Sequence, residues 1–98
     1  MNKNTTIKLI KSHANNLKKR GVTGMYLFGS VARNQETHRS DIDLFFDYDQ
    51  DGHFSLFNVM EIQEYVEEIL GEKTDVIPRG SLHRRIRKGV IEEALRIF

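Results

Sequence analysis

Apolar positions change period several times along the chain, and each change marks an element. Ile7, Ile10, Ala14 and Leu17 recur at helical spacing behind Thr5 or Thr6, either of which can cap a helix, and Gly21 supplies its stop. Met25-Tyr26-Leu27-Phe28 is a short apolar run of the kind a buried strand makes, and it ends at Gly29, where the backbone must turn. Farther on, Ile42, Leu44 and Phe46 alternate with Asp41, Asp43 and Asp47, the two-residue period of a strand with one buried face. Helical spacing returns from Ser55 to Leu70. Ser55 is the expected cap, Leu56, Val59, Met60, Val66, Ile69 and Leu70 form the inward side, and Gly71 ends the helix. Thr74-Asp75-Val76-Ile77 predicts a third short strand stopped by Pro78. Ser81 to Phe98 predicts a last helix, capped by Ser81 and striped by Leu82, Ile86, Val90 or Ile91, Ala94 or Leu95, and Phe98, with Gly89 weakening its middle. The order helix, strand, short helix, strand, helix, strand, helix predicts an α/β domain with a small three-stranded mixed sheet flanked by about four helices.

Size narrows the picture to one domain spanning residues 1–98, because 98 residues with 39% hydrophobic content support only a small core. A formal net charge of +1, from 15 basic and 14 acidic residues, argues against a general nucleic-acid binder, whose footprint is a strong basic excess. The absence of cysteine excludes a disulfide framework and a Cys-based zinc site and is compatible with a reducing compartment. Met1-Asn2-Lys3-Asn4 lacks the apolar core of a signal peptide, and no apolar run approaches membrane-spanning length. A cytoplasmic protein without a membrane partner is therefore expected. No repeat or low-complexity tract interrupts the chain.

Candidate chemistry concentrates between Gly29 and Asp43, GSVARNQETHRSDID. On a strand, Asp41 and Asp43 point to the same side, and two adjacent carboxylates repel unless a cation sits between them. Hard oxygen ligands suit Mg²⁺, which is usually held by one or two carboxylates together with substrate phosphates. The Gly29-Ser30 turn offers N–H groups and a hydroxyl to phosphate oxygens, and Ser30 to about Asn34 reads as a short helix whose N-terminus faces bound phosphate. Arg33 either reaches a triphosphate or pairs with a surface carboxylate, and the residues alone leave both open. Gln35 to Arg39 is polar, and a solvated loop is expected at His38 and Arg39. Alone, an Asp-x-Asp strand is more often the acidic solvent face of a hairpin. Beside a Gly-Ser turn, it points to metal-assisted phosphate chemistry.

Other motifs have plainer readings. Asp47-Tyr48-Asp49-Gln50-Asp51-Gly52 copies the first half of an EF-hand loop, but Asn58 stands where a bidentate Glu is needed and a strand precedes it, so an Asp- and Gly-rich turn is expected. Glu61, Glu64, Glu67 and Glu68 read as a solvated helix face, as do the cations of the first helix and the cluster Arg84, Arg85, Arg87 and Lys88. His13 has no second histidine at metal-ligand spacing beside it.

The spacing Gly29-Ser30, ten residues, Asp41-x-Asp43 resembles the signature of the DNA polymerase beta-type nucleotidyltransferase superfamily. Val31-Ala32-Arg33, the small size, Ser55-Leu56-Phe57 and the run from Leu70 to Ile77 are similar to the minimal nucleotidyltransferases, antitoxin partners of HEPN-domain toxins, so the resemblance covers most of the chain. One departure is Asn34, where the family commonly has Gly. Asn tolerates left-handed backbone, so the turn is expected to survive. The resemblance implies that Asp41, Asp43 and Asp75 are catalytic and hold two Mg²⁺, although Asp75 alone would read as a surface residue. It further implies that Gly29 and Ser30 cradle the β and γ phosphates of ATP, with Arg33 as a third nucleotide contact. AMP would pass to a hydroxyl, expected to be a tyrosine, of a cognate HEPN ribonuclease toxin held in a hetero-oligomer. The chain has no room for an acceptor-binding domain, so a protein surface would have to present that hydroxyl. Two other readings are a non-catalytic antitoxin acting by occlusion and a small-molecule nucleotidyltransferase similar to the aminoglycoside-modifying enzymes.

Overall fold

A computed structural model describes residues 1–37, 41–52 and 54–98, with the backbone alone at residue 85. His38 and Arg39, the loop residues considered above, lie outside the described residues. The first helix, α1 (Lys3–Ser12), starts one turn earlier than expected because Asn2, not Thr5 or Thr6, is its cap: the Asn2 side chain accepts from the Thr5 N–H at 2.8 Å. Thr6 is buried, its hydroxyl donating to the Asn2 carbonyl at 2.8 Å. Helical spacing over Ile7–Leu17 suggested one helix, yet the backbone breaks at His13 and resumes as α2 (Ala14–Lys19). At the break the Ser12 hydroxyl donates to the Leu9 carbonyl at 2.6 Å and His13 Nδ1 lies 3.0 Å from the same oxygen, so side chains compete for a helix acceptor.

Among the described residues four strands form one sheet in the order β3-β2-β1-β4. Strand β1 (Val22–Phe28) runs antiparallel to β2 (Ile42–Tyr48), which is parallel to β3 (Thr74–Pro78). The fourth strand, β4 (Leu95–Arg96), corrects the three-stranded expectation. It lies in the segment read as the end of a helix from Ser81 to Phe98. In fact Ser81 closes a 3₁₀ turn (Arg79–Ser81), the helix spans Arg84–Glu93, and Leu95 and Arg96 pair with Leu27 and Tyr26. Helical propensity lost to the unpaired edge of β1, whose backbone needs partners: Ile97 donates its N–H to the Met25 carbonyl at 2.8 Å, and the Ile97 side chain is buried. In chain order the remaining helices are α3 (Gly29–Ala32), α4 (Leu56–Leu70) and α5 (Arg84–Glu93), giving five α-helices among the described residues with the two at the N-terminus.

Strand alternation then decides what each face does. Ile42, Leu44 and Phe46 on β2, Met25 and Leu27 on β1 and Val76 on β3 are buried in the core with Ile10, Leu17, Ile62, Val66 and Leu70 from the helices. The other face carries Tyr26, Phe28, Asp43, Phe45, Asp47 and Asp75. Phe45 is buried there by a stack on Tyr26 (4.7 Å between centroids) and by the Arg79 guanidinium, 5.0 Å from each of the two rings. Asp47 fixes that guanidinium with two bonds of 2.7 and 3.0 Å.

Helix α4 keeps its expected ends. Asn58 Oδ1 accepts from the Ser55 N–H at 2.8 Å and lies 3.0 Å from its hydroxyl, and Gly71 turns left-handed at φ 68°. Asn58, the residue that breaks the EF-hand pattern, is thus a capping partner, and the preceding loop is a turn in which the Asp49 carboxylate accepts from the Asp51 N–H at 3.0 Å. Two residues of the expected inward stripe are not inward: Leu56 and Met60 are 72% and 52% exposed. The inward side of these first turns is instead Val59, packed against the core, and the fully buried Ile62. Among the described residues no helix is long and apolar enough to cross a membrane.

Candidate active site

The site grows from two strand registers and one turn. On parallel strands β2 and β3, Asp43 stands directly beside Asp75, so their side chains share the sheet face opposite the core. Across the antiparallel pair Phe28 faces Asp43, which brings the next residue, Gly29, against the carboxylate. Gly29 is required twice over. Its φ is +77°, and a methyl group built on it would overlap the Asp43 carboxylate. Ser30 follows in α3, whose turn is closed by Arg33, Asn34 and Gln35 donating to the carbonyls of Gly29, Val31 and Ser30 at 3.2, 3.2 and 2.8 Å. Asn34 adopts φ 57°, so the departure from Gly preserves the left-handed turn.

Asp41 lies just before β2, exposed, with its carboxylate 3.9 Å from Lys73 Nζ. Among the described residues no three acidic, His or Cys side chains are drawn together as a ready metal cage. The electrostatics nonetheless tie the acids together. Burial first, then the negative charges of Asp75 and Asp41, raise the proton affinity of Asp43 above that of an ordinary carboxyl, and Arg33 opposes them. A half-buried carboxylate crowded by like charges is a place where a cation is favoured, and an all-carboxylate donor set matches a hard divalent ion. Arg33 itself takes the second of its two open readings in this structure: its guanidinium lies 3.7 Å from Glu93 and donates to Gln35 at 3.2 Å.

Sequence reasoning missed Gln63. From α4 its amide donates to the Thr74 carbonyl at 2.5 Å and accepts from the Val76 N–H at 3.2 Å, straddling Asp75 on the edge of β3 that pairs with no other strand among the described residues. The amide stands in for a fifth strand and pins the backbone that carries Asp75. The signal available in the sequence was a glutamine at helical spacing between Val59 and Val66 of the expected inward stripe.

A mixed sheet that sets a Gly-Ser turn against carboxylates on two adjacent strands defines a protein of the nucleotidyltransferase class. The chain belongs to the nucleotidyltransferase domain family, whose profile matches residues 10–97. It is 40% identical over 88 residues to MJ1379 of Methanocaldococcus jannaschii, provisionally named a protein adenylyltransferase, covering 89% of this chain and 88% of that one. Protein adenylyltransferase MntA of Thermococcus cleftensis is 32% identical over 88 residues, covering 89% and 87%. Among solved structures, one described provisionally as a minimal nucleotidyltransferase superposes with a TM-score of 0.77 at 26% identity, covering 93% of this chain and 92% of that one. The fold is also that of a chain in the structure of a tri-AMPylated Shewanella oneidensis HEPN toxin in complex with MNT antitoxin, at a TM-score of 0.64 and 16% identity, covering 94% of this chain and 71% of that one.

Proposed function

We propose that this chain is an antitoxin that transfers AMP from ATP to a hydroxyl, that of a tyrosine, on a cognate HEPN ribonuclease toxin and thereby silences it. The observation that carries the reading is the register of Asp43 beside Asp75 with Gly29 seated against the Asp43 carboxylate. The adenylyltransferase names of relatives at 40% and 32% identity support the reaction class. The tri-AMPylated toxin in the complex that contains a fold neighbour supports a protein acceptor.

Asp41, Asp43 and Asp75 are the residues that would hold magnesium, two ions in our reading. When bound, magnesium would neutralise charge on the triphosphate and on the three acids. The chain's own groups account for the rest. The Gly29-Ser30 turn cradles the β and γ phosphates, the Ser30 hydroxyl donating to a phosphate oxygen. Arg33, exposed on its Glu93 contact, exchanges that carboxylate for the triphosphate. The acceptor oxygen attacks the α-phosphorus, the bond from that phosphorus to the α–β bridging oxygen breaks, and pyrophosphate leaves. The hydroxyl proton passes to the Asp75 carboxylate, which is exposed at the strand end and so reachable by an incoming side chain.

Parallel incubations of enzyme and toxin with ATP labelled at the α or the γ position test this reading. The α label is expected on the toxin and the γ label only in pyrophosphate. A γ label on the toxin would make the protein a kinase, and no label on folded toxin would leave only occlusion.

A further inference from the structure

The first two turns of α4 expose Leu56, Phe57 and Met60 at 72%, 82% and 52%, three large apolar side chains that contribute nothing to the core. They have a pattern. Leu56, Met60, Glu64 and Glu68 stand four residues apart and form one ridge along the helix, about 18 Å long at 1.5 Å per residue. Phe57, Glu61 and Tyr65 form the next ridge. In that second ridge the acid is already satisfied, because Arg20 lies 3.3 Å from Glu61 and stacks 4.0 Å above the Tyr65 ring. In the first ridge Glu64 and Glu68 are exposed, and among the described residues no cation pairs with either. Helix α4 contains no Lys or Arg at all.

We infer that this ridge is the docking surface for the protein substrate, an inference that rests on the proposed transfer to a ribonuclease toxin. Its chemistry specifies the partner: an apolar groove to accept Leu56, Phe57 and Met60, continuing into a basic surface opposite Glu64 and Glu68. A ribonuclease must carry such a basic surface to hold the phosphates of RNA. An acidic ridge anchored by apolar residues therefore fits the toxin's own RNA-binding side and would block it before any chemistry occurs. Interfaces of this kind place their energy in a few apolar anchors and their selectivity in the charged rim. The ridge lies on the layer that covers the core face of the sheet, whereas Asp43 and Asp75 project from the opposite face, so docking and transfer are separable by substitution.

The test titrates the labelled HEPN toxin encoded with this chain against the wild type, F57E/M60E, E64K/E68K and D41N/D43N. F57E/M60E is expected to weaken toxin binding about tenfold or more. E64K/E68K weakens it by a factor that grows as salt is lowered. Both retain the wild-type affinity for ATP and the wild-type melting midpoint, since all four side chains are solvent-facing. D41N/D43N binds toxin as tightly as the wild type while transferring no AMP, so absence of transfer by the wild type with these affinities intact removes the enzymatic reading and leaves the docking surface standing. Unchanged toxin affinity in F57E/M60E overturns the inference, as does wild-type protein that binds no toxin. The same holds if the substitutions abolish only self-association in sedimentation, which would make a second copy of this chain the occupant.

Discussion

Gly29→Ala separates the two demands that converge on one position. Gly71 provides the reference: its φ of +68° is close to the +77° of Gly29, but a Cβ at Gly71 meets nothing within 4 Å. Gly71→Ala therefore pays only for left-handed backbone, about 1–2 kcal/mol, which for a chain of this size lowers the melting midpoint by roughly 5–15 °C. Gly29→Ala adds a methyl group on top of the Asp43 carboxylate. Neither neighbour yields easily, because Phe28 and Asp43 are paired across β1 and β2. The overlap adds about 1–3 kcal/mol of the kind seen on overpacking, for a total of about 2–5 kcal/mol. The carboxylate must also rotate away, so AMP transfer falls at least about tenfold at temperatures where the variant is still folded, whereas Gly71→Ala keeps wild-type transfer. Thermal unfolding followed by circular dichroism, with label transfer on the same samples, gives both quantities. A double-mutant cycle sharpens them: Asp43→Ala removes the carboxylate and leaves only the residue-43 Cβ, 3.2 Å from the added methyl group, so Gly29→Ala should cost less in that background than in the wild type. Equal midpoints for the two single alanine variants, or full activity in Gly29→Ala, would refute the claim that the turn and the carboxylate are built against each other.

Further outcomes follow from the electrostatics and the hydrogen bonds. The Asp43 carboxyl binds its proton more tightly folded than unfolded, so its contribution to stability is present below the unfolded value and lost as pH rises through the raised folded one. Asp43→Asn should therefore melt higher than the wild type at neutral pH, by a margin that vanishes toward the acid range, while losing transfer; a margin independent of pH would contradict the assigned cause. Gln63→Leu leaves the Thr74 carbonyl and the Val76 N–H without their side-chain partner and should cost about 2 kcal/mol. It should also speed hydrogen exchange at Val76 and reduce transfer through a loosened Asp75, and unchanged exchange would count against the clamp. Asn58→Ala removes the cap partner of α4, with an expected loss of about 1 kcal/mol, or 4–8 °C, and no change in specific activity.

The parts of the fold written in period and punctuation were legible in the chain. Gly29, Gly71 and Asn34 all adopt the left-handed backbone that their turns required, and the alternation around Asp43 gave β2 its two faces. The pairing of Asp43 with Asp75 came instead from resemblance, because strand register between residues 32 positions apart has no local signature. Three features were not legible for the same reason, since tertiary partners decide them. β4 exists because β1 has an edge to fill, Gln63 matters because among the described residues no strand pairs with the outer edge of β3, and Leu56 and Met60 are exposed because no described element packs over them. The helix break at His13 was hidden by an apolar spacing that continues unbroken through Leu17, and only the competition for the Leu9 carbonyl marks it.

The central claim is that Asp41, Asp43 and Asp75 beside the Gly29-Ser30 turn transfer AMP to a protein. Intact mass measurement of the cognate toxin, after incubation with ATP, magnesium and either wild type or D41N/D43N, tests it most directly. The account predicts toxin heavier by one or more AMP units with the wild type and unmodified toxin with the variant. Toxin of unchanged mass that the wild type nonetheless neutralises, or equal modification by D41N/D43N, would contradict it.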